Sequence, residues 1–227
     1  MAPVVPPAHA TFYGQMSSIT VNHPLCSRLY VKQAEAAEER GLADQRKSML
    51  DGLAGHILEI GAGNGMNFRH YPDQVTQVEA FEPDAYLCRF AVEAAEQAPV
   101  PIEVGDAPAE EVPLGDGSVD AAVASLVLCS VKDLDWAIAE LHRVVKPGGE
   151  LRFNEHVRSE RRGRGALQRV ADATVWPHVS GGCHLGRETG RALEDGGFRI
   201  KRVERFGFRV GGLDPPKTHL LGVAQRL

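Results

Sequence analysis

The sequence predicts an α/β fold: an open, mostly parallel sheet with helices on both faces. Three observations carry that prediction. The run His56–Gly65 passes from an apolar stretch straight into a turn with glycine at every second position. The run Ala121–Leu128 is apolar without alternation, as a strand buried on both faces would be. Strand-like and helix-like stretches alternate along the rest of the chain, as crossovers between parallel strands require.

In the first element, Leu58 and Ile60 supply the strand and Gly61, Gly63 and Gly65 the turn. Such a strand–turn–helix is where an open α/β sheet binds a nucleotide-like cofactor. A dinucleotide fingerprint places its third small residue at position 66, and that position is Met66. The spacing therefore argues against nicotinamide chemistry. Glu59 stands two residues before the first glycine.

The second strand, Val75–Phe81, ends at Glu82-Pro83-Asp84. Glu82 lies about twenty residues past the glycine turn, where an acid grips ribose hydroxyls in nucleotide-binding α/β units; a solvated turn acid is the alternative. Pro101–Val104 reads as a third strand leading into Gly105-Asp106-Ala107. Gly115–Asp120 is a turn feeding the apolar fourth strand. Trp136–Val145 has helical spacing and stops at Lys146-Pro147-Gly148-Gly149, and Leu151–Glu155 is the next strand. Upstream, Pro24–Leu53 reads as one or two helices. Downstream, a helix over Arg187–Asp195 ends at Gly196-Gly197. Two strands, Arg199–Phe208 and His219–Ala224, close the chain as a hairpin, with Gly211-Gly212 and Asp214-Pro215-Pro216 in the turn region between them.

At 227 residues and 43% hydrophobic content the chain suits one globular domain. Residues 1–10 are expected as a flexible tail and 11–227 as the domain, with 11–53 a helical lid and 157–185 a second lid near the site. No apolar run is long enough to cross a bilayer, and the proline-broken start lacks the basic region of a signal peptide. Cys26, Cys88, Cys129 and Cys183 are scattered, which suggests free thiols in a reducing cytoplasm. A net charge of −5 argues against wholesale nucleic-acid binding. Arg158, Arg161, Arg162, Arg164 and Arg169 form a local basic stretch, either a solvated face or a contact to an anionic substrate.

Glu59-x-Gly61-x-Gly63-x-Gly65 resembles the first motif of the class I S-adenosylmethionine (SAM) dependent methyltransferases. The helix, Lys146-Pro147-Gly148-Gly149 turn and strand resemble another of that family's markers. Three further runs resemble its thiol-methylating branch, which is related to the ubiquinone-type enzymes: Ser125–Lys132, Phe153–Val157 and Gly182–Glu188. Gly65-Met66-Asn67-Phe68 with Tyr71-Pro72 also fits that branch. The resemblance spans roughly Leu58 to Gln225 and is poor over the first fifty residues. It implies a Rossmann-like fold of seven strands with the last antiparallel, and SAM as cofactor with S-adenosylhomocysteine as product. It also implies cofactor contacts at Glu59, Gly61, Ala62, Gly63, Asn67, Glu82, Pro83, Asp106, Ala107, Ser125 and Leu126. Asp106 would accept the adenine amine and Ala107 would flank the ring. The branch's animal members carry an N-terminal membrane anchor, and none is expected here.

Thiol acceptors need little help, because a thiolate is available near neutral pH; a phenol gains more from a base. Candidate bases are His156, just past the fifth strand, and His178, with His184 nearby; each has a structural role as its alternative. Glu155 would orient a histidine or line the pocket. Cys129 and Cys183 read as small packing residues, and no metal site is expected, because no tight ligand spacing occurs. Trp176, Phe12, Tyr13 and Tyr30 are candidates for an apolar pocket wall, with core packing as the alternative for each. The expected function is methyl transfer to a small-molecule thiol. Oxygen or carbon methylation, and SAM binding without methylation, stay open as alternatives. Expected partners are the acceptor alone, in a cytoplasmic monomer or homodimer.

Overall fold

The computed structural model describes residues 24–174, 176–209 and 216–227. The expectations placed on residues 1–23, including the tail, the start of the lid, Phe12 and Tyr13, lie outside the described residues, as does the turn region at 211–215.

The described residues begin with two helices, α1 (Pro24–Ala37) and α2 (Ala43–Leu50), joined through a π-helical turn over Glu38–Leu42. Gly41 kinks that turn at φ 110°, a value that residues with a Cβ rarely adopt. The alternating units follow: β1 (Gly55–Ile60), β2 (Val75–Phe81), α3 (Ala85–Ala95), β3 (Ile102–Gly105), β4 (Val119–Ser125), α4 (Leu134–Val144) and β5 (Val145–His156). Three helices, α5 (Arg162–Asp172), α6 (Trp176–Val179) and α7 (Thr189–Asp195), separate β5 from the closing hairpin of β6 (Phe198–Phe208) and β7 (Lys217–Arg226).

The described strands form one seven-stranded sheet in the order β3-β2-β1-β4-β5-β7-β6. β1 pairs in parallel with both β2 and β4, while β7 runs antiparallel to β5 and β6. Strand order reverses between β1 and β4, so the crevice beyond their carboxyl ends is the topological place for a ligand.

Alternate residues of the central strands feed opposite faces. Leu58, Ile60, Ala122 and Ala124 pack with Ile138 and Leu141 of α4 in one cluster. Ile57, Val78, Ala121 and Val123 pack with Leu50 of α2 and Ala91 of α3 in the other. This two-sided burial explains the unbroken apolar run of β4. α4 buries Ala137, Ile138, Leu141 and Val144 at helical spacing, and its N-cap, Asp133, accepts the Trp136 N–H at 3.0 Å.

Two elements depart from the sequence pattern. The apolar run reads as a strand to Leu128, yet β4 stops at Ser125. Leu126 turns left-handed at φ 59°, the one non-glycine residue with positive φ among those described. β5 begins at Val145, ahead of the Lys146–Gly149 turn, and its register against β4 shifts between Val119 and Ala121.

Candidate active site

The glycine turn leaves the carboxyl end of β1. Gly61, Gly63 and Gly65 have φ of 58°, 61° and 76°. A Cβ on Gly61 would sit 2.3 Å from Val127 Cγ2, so glycine is what lets the post-β4 turn rest on the post-β1 turn. Asn64 Oδ1 on this turn is shielded from solvent without a hydrogen-bond partner, an acceptor that a ligand's N–H would satisfy.

Beneath the turn lies a buried polar network. Glu59 accepts bonds from Asn67 Nδ2 at 2.7 Å and from the Tyr71 hydroxyl at 2.6 Å. Arg46 of α2 donates to Asn67 Oδ1 at 2.7 Å, to Glu38 at 2.7 Å and to Ser125 Oγ at 3.3 Å. Glu59 and Asn67 thus spend their visible bonds inside the protein, and through Arg46 they link α2 to the turn. Burial pushes the Glu59 carboxyl up to about 7, against its bonds to Tyr71 and Asn67.

Above the turn, the Glu82 carboxylate accepts the Gly63 N–H at 2.7 Å and the Asp84 N–H at 2.8 Å. Burial pushes it up to about 7 as well, opposed by those two donors. Its oxygens keep lone pairs for hydroxyl donors. Pro83 follows half-buried. Asp84 caps α3 and accepts the Ser27 hydroxyl of α1 at 2.6 Å. Asp106 is half-exposed at the tip of β3 with Ala107 buried beside it, and burial raises the Asp106 carboxyl. The Tyr30 ring of α1 faces Gly63, 3.4 Å from where a Cβ would stand. These residues fit SAM chemically: a buried acid facing a glycine turn suits ribose hydroxyls, and an acid beside a small residue suits an adenine edge.

The turn after β4 is clamped at both ends. Glu155, fully buried on β5, accepts the N–H groups of Val127, Leu128 and Cys129, each at 3.0 Å. Burial holds its carboxyl well above the usual range, while these three donors favour its charge. Arg187 donates to the carbonyls of Leu128 and Val131 from the other end. Carboxyl oxygens at the N–H end and a guanidinium at the C=O end thus satisfy the turn's backbone groups. Glu155 thus shapes the turn and does not orient a histidine.

His156 ends β5 and is buried, but it does not stand free as a base. Its Nδ1 lies 3.2 Å from Cys183 Sγ and 3.8 Å from Cys129 Sγ, and the two sulfurs are 3.8 Å apart. Sequence spacing offered no metal site and made the cysteines packing residues. The fold joins Cys129, His156 and Cys183 into one buried group, a proximity that their spacing in the sequence does not reveal. The hydrogen bond with Cys129 lowers the Cys183 thiol against burial, with the Lys217 ammonium helping. That same contact, with burial, pushes Cys129 up to about 12. His219 packs edge-on to His156 at 4.6 Å, and its Nδ1–H donates to Asn154 Oδ1 at 3.0 Å. Burial, then the His156 and Lys217 charges, lower His219 to about 3, so it stays neutral.

His178 is exposed on α6, and Trp176 is half-buried there beneath Lys217, whose Nζ is 5.2 Å from the ring centre. Part of the basic stretch serves local bonds: Arg158 pairs with Glu188 and Arg164 donates to the Pro216 carbonyl. Arg158 and Arg169 line a cavity of about 540 Å³ with Arg187, Arg191 and Arg205, and none of the glycine-turn residues borders it. Among the described residues no helix is long and apolar enough to cross a membrane.

Known proteins agree with this geometry. The family model described as a methyltransferase domain matches residues 58–153. The human thiol S-methyltransferase TMT1B is 38% identical over 195 residues, covering 83% of this chain and 78% of that protein. Human thiol S-methyltransferase TMT1A is 37% identical over 154 residues, 66% of this chain and 62% of that one. The geranyl diphosphate C-methyltransferase of Streptomyces coelicolor, solved with S-adenosyl-L-homocysteine, shares the fold at a TM-score of 0.67 and 16% identity, over 86% of this chain and 83% of that one. With the glycine turn, its facing acids and the antiparallel last strand in place, the chain belongs to the class I SAM-dependent methyltransferases, in the branch that holds the thiol S-methyltransferases.

Proposed function

We propose that the chain methylates a small-molecule thiol at sulfur. Bound SAM supplies an activated methyl group on a sulfonium centre. The protein's part is to hold the nucleophile in line and keep water away. The observation that carries the thiol assignment is the engagement of His156. Its Nδ1 faces two sulfurs, so this imidazole is not free at that nitrogen to deprotonate a phenol. A thiol ionises near neutral pH and does without that base. Kinship with enzymes named for thiol methylation supports the same choice.

In this proposal Glu82, followed by Pro83, grips the ribose, Asp106 and Ala107 hold the adenine, and Gly61, Ala62 and Gly63 give the cofactor close access to backbone. Ser125 and Leu126 border the methyl donor at the tip of β4. Glu59 and Asn67 act through the turn as positioning residues. Residues 24–53 and 157–185 close over the site as lids, from α1 and α2 on one side and α5 and α6 on the other. The four free thiols suit a reducing cytoplasm.

The test is S-adenosylhomocysteine release from the full chain with SAM and a panel of small thiols beside a panel of phenols. Turnover confined to thiols is expected. Turnover confined to phenols overturns the assignment.

A further inference from the structure

We propose that Cys129, His156 and Cys183 bind a zinc ion whose fourth position takes the sulfur of the acceptor thiol. The metal site stands on its own geometry; the identity of the fourth ligand rests on the thiol function proposed above.

Zinc–sulfur bonds of about 2.3 Å and zinc–nitrogen bonds of about 2.0–2.1 Å at tetrahedral angles place two sulfurs about 3.8 Å apart, and sulfur and nitrogen about 3.6 Å apart. The two sulfurs here are 3.8 Å apart, and the sulfur–nitrogen edges are 3.8 and 3.2 Å. The sulfur–sulfur edge matches a zinc tetrahedron, and the two sulfur–nitrogen edges fall on either side of the ideal length. Two thiolates and a neutral imidazole also form a donor set that zinc prefers, and two thiolates would balance its charge.

Each ligand is held by the fold. Cys129 sits in the turn clamped by Glu155 and Arg187, and its carbonyl accepts the His184 N–H at 2.7 Å. His156 is fixed at the end of β5, paired in register with His219 of β7. Cys183 comes from the segment between α6 and α7, so a metal here would fasten that segment to the sheet. All three ligands are buried, which excludes competing water.

Three protein ligands leave one position open, the arrangement of catalytic rather than structural zinc. The post-β4 turn that carries Cys129 also packs Val127 against Gly61, so one short turn connects the three ligands with the glycine turn. The chemistry balances. An acceptor R–SH binds as thiolate and releases its proton to solvent. A carbon–sulfur bond forms from that sulfur to the methyl carbon as the methyl–sulfonium bond breaks. The products are R–S–CH3, S-adenosylhomocysteine and one proton. The neutral thioether is a poor zinc ligand and leaves. Zinc would thus hold the acceptor sulfur in place as thiolate.

The test uses the full chain, purified with a phosphine reductant. Zinc is measured by elemental analysis, and chelator-treated protein is titrated with cobalt(II) as an optical probe. About one metal per chain and the spectrum of a tetrahedral sulfur-bound cobalt are expected. Cys183→Ser and His156→Ala should lose most of the metal while circular dichroism stays native. Reduced protein that takes up neither zinc nor cobalt overturns the site. The fourth ligand is read separately, by adding 2-mercaptoethanol to the cobalt protein without SAM. A change in the sulfur-to-cobalt charge-transfer band is expected, and an unchanged band overturns substrate coordination. Neither readout needs turnover, so failure here is distinct from failure of the thiol assignment.

Discussion

The Glu82 carboxylate accepts the Gly63 N–H at 2.7 Å, which ties the tip of β2 to the glycine turn leaving β1. The acid proposed to hold the ribose is thus positioned by the same backbone that the cofactor approaches. Glu82→Ala should weaken SAM binding by about 1.5–3 kcal/mol, the worth of hydrogen bonds to a charged group, or roughly 10- to 150-fold in Kd. Isothermal calorimetry reads this directly, and unchanged affinity removes Glu82 from the site.

The two buried acids also set a pH dependence. Glu59 and Glu82 are each raised from 4.5 to about 7 in the fold. Between those values the folded state holds more protons than the unfolded one, so their contribution to stability is full below about pH 4.5 and declines as pH rises through 7. Thermal melts of the cofactor-free protein should show this decline, and Glu82→Gln should flatten it. A Glu82→Gln slope equal to wild type would refute the assignment.

Gly61 should not tolerate a side chain. A Cβ there meets Val127 Cγ2 at 2.3 Å, and the residue's φ is 58°. Gly61→Ala should destabilise by about 1–3 kcal/mol, as overpacking does, and weaken SAM binding as the two turns separate. Urea unfolding with matched calorimetry separates the two effects.

The histidines should divide sharply. His178 is exposed on α6, so His178→Ala should keep its thiol-methylating rate. His156→Ala should lower turnover at every pH and leave SAM affinity near normal. Equal losses in the two variants would mean that exposure misplaces His178.

Glu155→Gln offers a further probe. Its carboxylate satisfies three N–H groups with two oxygens, and Gln has one acceptor oxygen. Leaving buried N–H groups unpaired costs about 1–3 kcal/mol each. Urea unfolding should report a loss in that range for Gln and a larger one for Ala; wild-type stability would show that Arg187 alone shapes the turn.

Local features of the chain that carry their cause nearby were legible. The glycine spacing, the acid at Glu82 and the double-faced strand follow from residues close in sequence. The end of β4 did not, because Leu126 is turned by Glu155, which lies on the next strand and bonds residues 127–129 across the sheet. Arg46 was equally hidden: a helix residue among many charges, it becomes the buried link from Glu38 to Asn67 only once α2 docks. The cysteine–histidine group was invisible for the same reason. Cys129, His156 and Cys183 are separated by 27 residues each, and only the pairing of β4 with β5 and the return of the chain after α6 bring them together.

The order of strands leaves β3 and β6 on the two rims of the sheet. A rim offers unpaired backbone groups on which another chain can grow as an added strand. β3 has only four residues, too short a template to recruit a neighbour. β6 has eleven, and it carries Arg199, Lys201, Arg202, Glu204 and Arg205 exposed along its length. A second copy laid against it would bring like charges together, so the rim that is long enough to template aggregation is the one guarded by repulsion.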